Sequence, residues 1–190
     1  MIKTINDDDF EIKSEDLIFN YQEKLTKKLD AISSDFDQSI INEIVLWKGN
    51  RYAELSEKSM SLINSISTTS DKINVELTRQ VLRKLINESG IQLPMASTIL
   101  RFKNPKIYQI IDQRAYRFLY PDKTLELSTY KSKDNIEKQI KLYLEYLTDL
   151  KKAVELKNIP FEVADRRLYK LDKRINKQEK LKNYGITKAD

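Results

Sequence analysis

Between residues 134 and about 156 the apolar side chains fall at Ile136, Ile140, Tyr143, Leu144, Leu147 and Leu150. Steps of three and four bring them onto one stripe of a helix, whereas a strand would need every second residue. A stripe this long admits only a helix, and it obliges the chain to supply other apolar faces to cover it. The rest of the sequence carries the same spacing, and no alternating run is long enough to force a sheet. With 3 glycines and 4 prolines in 190 residues, there is little material for the tight turns of a many-stranded fold. The expected fold class is all-α.

The other helices can be read from caps and breaks. Ser14-Glu15-Asp16 opens a stretch to about residue 32, with Leu17, Ile18, Tyr21, Leu25 and Leu29 on one face. Asp37 can cap a second, carrying Ile40, Ile41, Ile44, Val45 and Trp47 up to Gly49-Asn50. After Arg51 a mixed helical stretch leads into residues 65–70, whose Ser and Thr read as loop. Asp71 is expected to open a long helix with Ile73, Leu77, Val81, Leu82 and Leu85, closed by Glu88-Ser89-Gly90. The next runs from about Pro94 to the break at Asn104-Pro105. A shorter one starts at Asp112 and stops at Tyr120-Pro121, and a last one follows the turn Asn158-Ile159-Pro160 to about residue 175. The expected organisation is one helical domain over 1–176 and a basic, flexible tail over 177–190.

The chain contains no cysteine and no histidine. Disulfides, thiolate or imidazole metal sites, iron–sulfur clusters and catalysis by Cys or His are excluded. Any chemistry must use Asp, Glu, Lys, Arg, Tyr, Ser or Thr. No spaced set of carboxylates on an apolar scaffold proposes a metal, and Asp7-Asp8-Asp9 reads as a solvated tail. Neither metal nor cofactor is expected. Residues 1–30 hold 5 basic and 8 acidic side chains, whereas residues 151–190 hold 12 and 6, so the carboxy-terminal part suits a polyanion. With no basic stretch leading into an apolar one and no apolar window of about 18 residues, the expected location is the cytoplasm.

The joint at Gly90-Ile91-Gln92 lets two helices pack as a tight hairpin, in which Gly90 can take positive φ and Ile91 can plug the space between them. Small Ala96 and Ser97 allow close approach. The first amides of the second helix then point outward, where the helix dipole also favours an anion such as a nucleic-acid phosphate. The run "SGIQLPMASTIL", followed after "RFKNPKIYQ" by "IIDQRAYRFL", resembles the helix-hairpin-helix and Gly/Pro-Asp signature of the endonuclease III and 8-oxoguanine DNA glycosylase superfamily. The resemblance is best over residues 71–120.

It implies a helix-hairpin-helix DNA glycosylase-like helical domain, with that motif at about 71–103. It also implies hydrolysis of the N-glycosidic bond of a modified or damaged base flipped from DNA, with Asp112 matching the catalytic aspartate. The backbone of Gly90, Ile91, Gln92 and Leu93 would hold a phosphate, supported by Ser97, Lys103, Arg114 and Arg117. Trp47, Tyr52, Tyr108 and Tyr116 are candidates for stacking on the base. Pro94 stands where bifunctional members carry the lysine nucleophile, so the implied activity is monofunctional. Gln92 replaces the second hairpin glycine, Arg114 stands where many members have histidine, and no amino-terminal sheet domain is evident.

The same residues also fit a non-catalytic helix-hairpin-helix module that binds DNA or a protein in repair or defence. In that reading Asp112 only caps its helix. Two segments stay open: Leu46-Trp47-Lys48-Gly49-Asn50-Arg51 could line a cleft or pack, and Asp165-Arg166-Arg167-Leu168-Tyr169 could fix the last helix or contact DNA.

Overall fold

A computed structural model describes residues 22–33, 36, 38–49, 53 and 55–181 of the chain. Among them lie the helices α1 (Glu23–Asp30), α2 (Gln38–Lys48), α3 (Glu57–Asn64), α4 (Val75–Asn87), α5 (Leu93–Lys103), α6 (Gln113–Leu119), α7 (Lys133–Glu155) and α8 (Ala164–Ile175). No strand occurs among the described residues, in keeping with the all-α expectation. None of these helices is long and apolar enough to cross a membrane. The chain divides into two compact units, residues 1–52 and 53–190.

In the first unit α1 packs against α2. Leu25 is buried, the Trp47 indole donates to the Thr26 hydroxyl at 2.9 Å, and Lys28 pairs with Glu43. Trp47 therefore joins two helices within this unit. The expected starts of both helices, Ser14 and Asp37, fall outside the described residues, as does Tyr52.

The second unit is organised around α7. Ile136, Ile140, Tyr143, Leu147 and Leu150 are buried as their spacing requires, and Tyr146 and Val154 extend the stripe. Leu82 and Leu85 from α4 and Leu93, Ala96 and Leu100 from α5 belong to the same core. Each leucine or isoleucine side chain taken fully from water contributes about 1.5–3 kcal/mol before entropy is counted. α6 packs on α8, and α3 lies against α4.

Side-chain capping explains four of the helix starts. Ser56, Asn74, Asp112 and Ser132 each accept a backbone N–H in the first turn of α3, α4, α6 and α7. Two starts differ from the sequence reading. α4 is capped by Asn74, not Asp71, because Ser67 and Ser70 hold the preceding segment in a turn of its own. The final helix begins at Ala164, after a short 3-10 turn over Phe161–Val163.

α4 and α5 are joined by residues 88–92, and there Gly90 has φ of 74°. A β-carbon at Gly90 would meet nothing within 4 Å, so Gly90→Ala is opposed by backbone strain alone. It should cost about 1 kcal/mol in urea unfolding, and Gly90→Asn should cost less.

Candidate functional site

The segment 104–112 between α5 and α6 has no regular structure of its own, yet most of it is buried. Buried irregular backbone must find hydrogen-bond partners among side chains. Asn104 is wholly buried; its amide donates to the carbonyls of Ser67 and Ser70, and its oxygen accepts the Lys106 N–H. Gln109, also wholly buried, donates to the Pro105 and Tyr108 carbonyls and accepts the Asp165 N–H. From α7 the Tyr143 hydroxyl donates to the Gln109 carbonyl at 2.8 Å, and that of Tyr146 donates to the Ile110 carbonyl at 3.0 Å. Burial raises both phenols well above their ordinary pKa, so both remain donors.

Ile110 N–H donates to Asp165 and Ile111 N–H to the Ser97 hydroxyl. Three helices thus fix the two isoleucines immediately before Asp112. Asp165 lies buried at the start of α8, 3.6 Å from Arg101, whose guanidinium also donates to the Glu162 carbonyl.

At the end of this braced segment Asp112 caps α6, one oxygen accepting the amides of Arg114 at 2.7 Å and Ala115 at 2.8 Å. Its other oxygen accepts no hydrogen bond from a described residue. Burial raises the carboxyl above its ordinary pKa; the Ala115 and Arg114 amides pull the other way, nearby Asp165 adds to the rise, and the Arg114 charge opposes it. The result is a half-buried acid held by one oxygen.

The other candidates divide. Ile91 and Leu93 are core side chains, which leaves Gly90 and Gln92 exposed at the tip of the α4–α5 joint. The first amides of α5 have no acceptor within the helix, and Gln92 supplies no side-chain cap. Ser97 is wholly buried and donates to the Pro94 carbonyl, so its hydroxyl braces the segment and does not face a phosphate. Lys103 reaches Asn64 at 3.3 Å. Arg114 and Arg117 both converge on Asp172, a buried acid of α8, at 3.1 and 2.8 Å. Arg117 also donates to the carbonyls of Glu179 and Lys180, tying down the start of the expected tail.

Tyr108 is 1% exposed with its hydroxyl against Thr78, a core residue and not a pocket wall. Tyr116 is tilted against Tyr120, stacks near Tyr146 and lines a cleft of about 660 Å³ with Arg79, Lys123 and Glu145, whose walls do not include Asp112. Trp47 belongs to the first unit.

Two aromatics outside the expected base-stacking candidates, Phe102 and Tyr169, lie against arginines. Phe102, at the end of α5, is 66% exposed with the Arg101 guanidinium 5.1 Å and that of Arg166 6.0 Å from its ring centre. Tyr169 of α8 lies 5.8 Å from the Arg114 guanidinium. The open question at Asp165-Arg166-Arg167 resolves in part: the acid turns inward, and both arginines are exposed. Compared with protein-family models, curated proteins and solved structures, the chain matches none. The functional reading therefore rests on the residues and their geometry.

Proposed function

We propose that the protein is a monofunctional, helix-hairpin-helix DNA glycosylase-like hydrolase that releases a modified or damaged base, with Asp112 as its catalytic carboxylate. The observation that carries the reading is the environment of Asp112. A cap needs only one acceptor oxygen, and asparagine would provide it as well without burying charge. Here an acid occupies the position at an energetic disadvantage, with its second oxygen uncommitted, at the end of a segment braced from α5, α7 and α8. Desolvated acids of this kind concentrate at working sites.

Departure of a base builds positive charge on the sugar, and an ionised carboxylate in a partly dry setting stabilises that charge and orients the attacking water. Asp112 can do both through its uncommitted oxygen while α6 holds the other. The uncapped start of α5 beside exposed Gly90 supports a phosphate contact. Pro94 offers no amine for a Schiff base, so strand cleavage by that route is not part of the reading.

A second reading is a non-catalytic module that binds DNA or a protein. It is favoured by the burial of Tyr108 and by the separate cleft of Tyr116, which leave neither as a stacking wall beside Asp112. Incubation with duplexes carrying a panel of modified bases, followed by alkaline cleavage of abasic sites, separates the two. Breaks with the wild type that vanish in Asp112→Asn are expected; equal breaks with both proteins would remove the assigned role.

A further inference from the structure

Between Ala164 and Ile175 every acid is turned inward: Asp165 is 2% exposed on Arg101 and Ile110, and Asp172 is fully buried on Arg114 and Arg117. Every other charged residue of α8 is a cation and exposed: Arg166, Arg167, Lys170, Lys173 and Arg174. None of these five forms an ion pair with a described residue. A merely solvated helix intersperses charges of both signs and gains from pairs four residues apart. α8 instead sorts its charges, leaving a single-sign outer face.

That face carries accessible aromatic rings. Tyr169 lies among the cations, and Phe102 of α5 stands beside Arg166 with two-thirds of its surface open. Exposed rings interleaved with guanidinium and ammonium groups match a chain of phosphates with unstacked bases, since phosphates neutralise the cations and every base has a face to stack. An anionic membrane would use the charges but not this geometry, because the apolar side of α8 is buried in the core at Ala164 and Leu168 and leaves only Ile175, at its end, strongly exposed for insertion.

We infer that the outer face of α8, together with Phe102, binds a single-stranded segment of nucleic acid, the phosphates lying along Arg166, Lys170 and Lys173 and bases stacking on Phe102 and Tyr169. The inference rests on the nucleic-acid reading above but not on the chemistry of Asp112. The strand face borders α6 through Arg114 and Tyr169, so it would hold the strand next to the proposed catalytic helix.

Fluorescence anisotropy with a labelled oligothymidine strand, and with its duplex, tests this at several salt concentrations. The full chain should bind the strand with strong salt dependence. Phe102→Ala, at an exposed position that does not threaten folding, should weaken strand binding about tenfold while changing duplex binding less than about twofold. Lys170→Glu with Lys173→Glu should weaken both and flatten the salt slope. Unchanged strand affinity in Phe102→Ala, salt-independent or absent binding, or preference for phosphatidylserine vesicles would overturn the inference. Strand binding without base release from any substrate would sink the glycosylase reading and leave this face standing; base release with strand affinity indifferent to Phe102 would do the reverse.

Discussion

Asp112→Asn is expected to unfold at the same temperature as the wild type or slightly above it at pH 7, while losing base release by a factor of about a hundred to a thousand. The stability half follows from burial. Asparagine keeps the acceptor for the Arg114 and Ala115 amides, and it caps as well as aspartate does. The folded state raises the Asp112 pKa, chiefly through burial. The sign is that of a group favoured when protonated: its contribution is fully present below the unfolded value, about 3.9, and is lost as pH rises through the raised folded value. At neutral pH the charged acid is therefore a modest disadvantage that asparagine removes. In acid the two proteins should converge.

The activity half depends on ionisation. Base release should fall on acidification at a pH above that of an ordinary carboxylate, because the form that stabilises a charged sugar is lost earlier. Thermal melts across pH, paired with single-turnover base release, measure both halves. A variant that is less stable by more than 1 kcal/mol yet releases base normally would reduce Asp112 to a cap.

How far this arrangement could be read from sequence depends on the range of each interaction. The α7 stripe and the break at Asn104-Pro105 are local, set by spacing and by proline, and both appear as expected. Asp112 as a cap is local too. α4 starts at Asn74 and not at the expected Asp71, because both residues are competent caps and the choice falls to the distant Asn104, which holds the Ser67 and Ser70 carbonyls.

Depth was less legible than face. Ser97 and Tyr108 occupy positions consistent with a ligand surface, yet both are core, because helical spacing gives direction around an axis and not distance from solvent. Asn104 and Gln109 have the composition of surface residues, but they serve as internal substitutes for secondary structure. Phe102 carries no local signal that separates it from a core side chain, yet it stands in the open. The charges of Arg114 and Arg117 looked available because their partner, Asp172, is more than fifty residues downstream.

Asp172→Ala should be the most destabilising single change in the carboxy-terminal part of the second unit. The carboxylate is fully buried and accepts from Arg114, from two nitrogens of Arg117 and from Asn176, all between 2.8 and 3.1 Å. Removing one partner of a buried pair strands the others, at a cost of about 3–5 kcal/mol. The guanidiniums keep roughly a fifth to a quarter of their surface in water, which puts the expected loss near 3 kcal/mol, or about 10 °C in melting temperature. The pH dependence has the opposite sign to that of Asp112. Burial alone would raise the Asp172 pKa, but Arg117, Asn176 and Arg114 outweigh it and hold the carboxyl below its ordinary value. Its contribution is thus complete above the unfolded value, near 3.9, and disappears as pH falls through the lower folded value. Urea unfolding should give a constant gap between wild type and variant from pH 5 to 8 that narrows only below about pH 4. A gap under 1 kcal/mol at neutral pH would mean that water already shares these charges. Because Arg114 and Arg117 both belong to α6, the same loss loosens the helix that Asp112 caps, so base release should decline in Asp172→Ala even at temperatures where the variant remains folded.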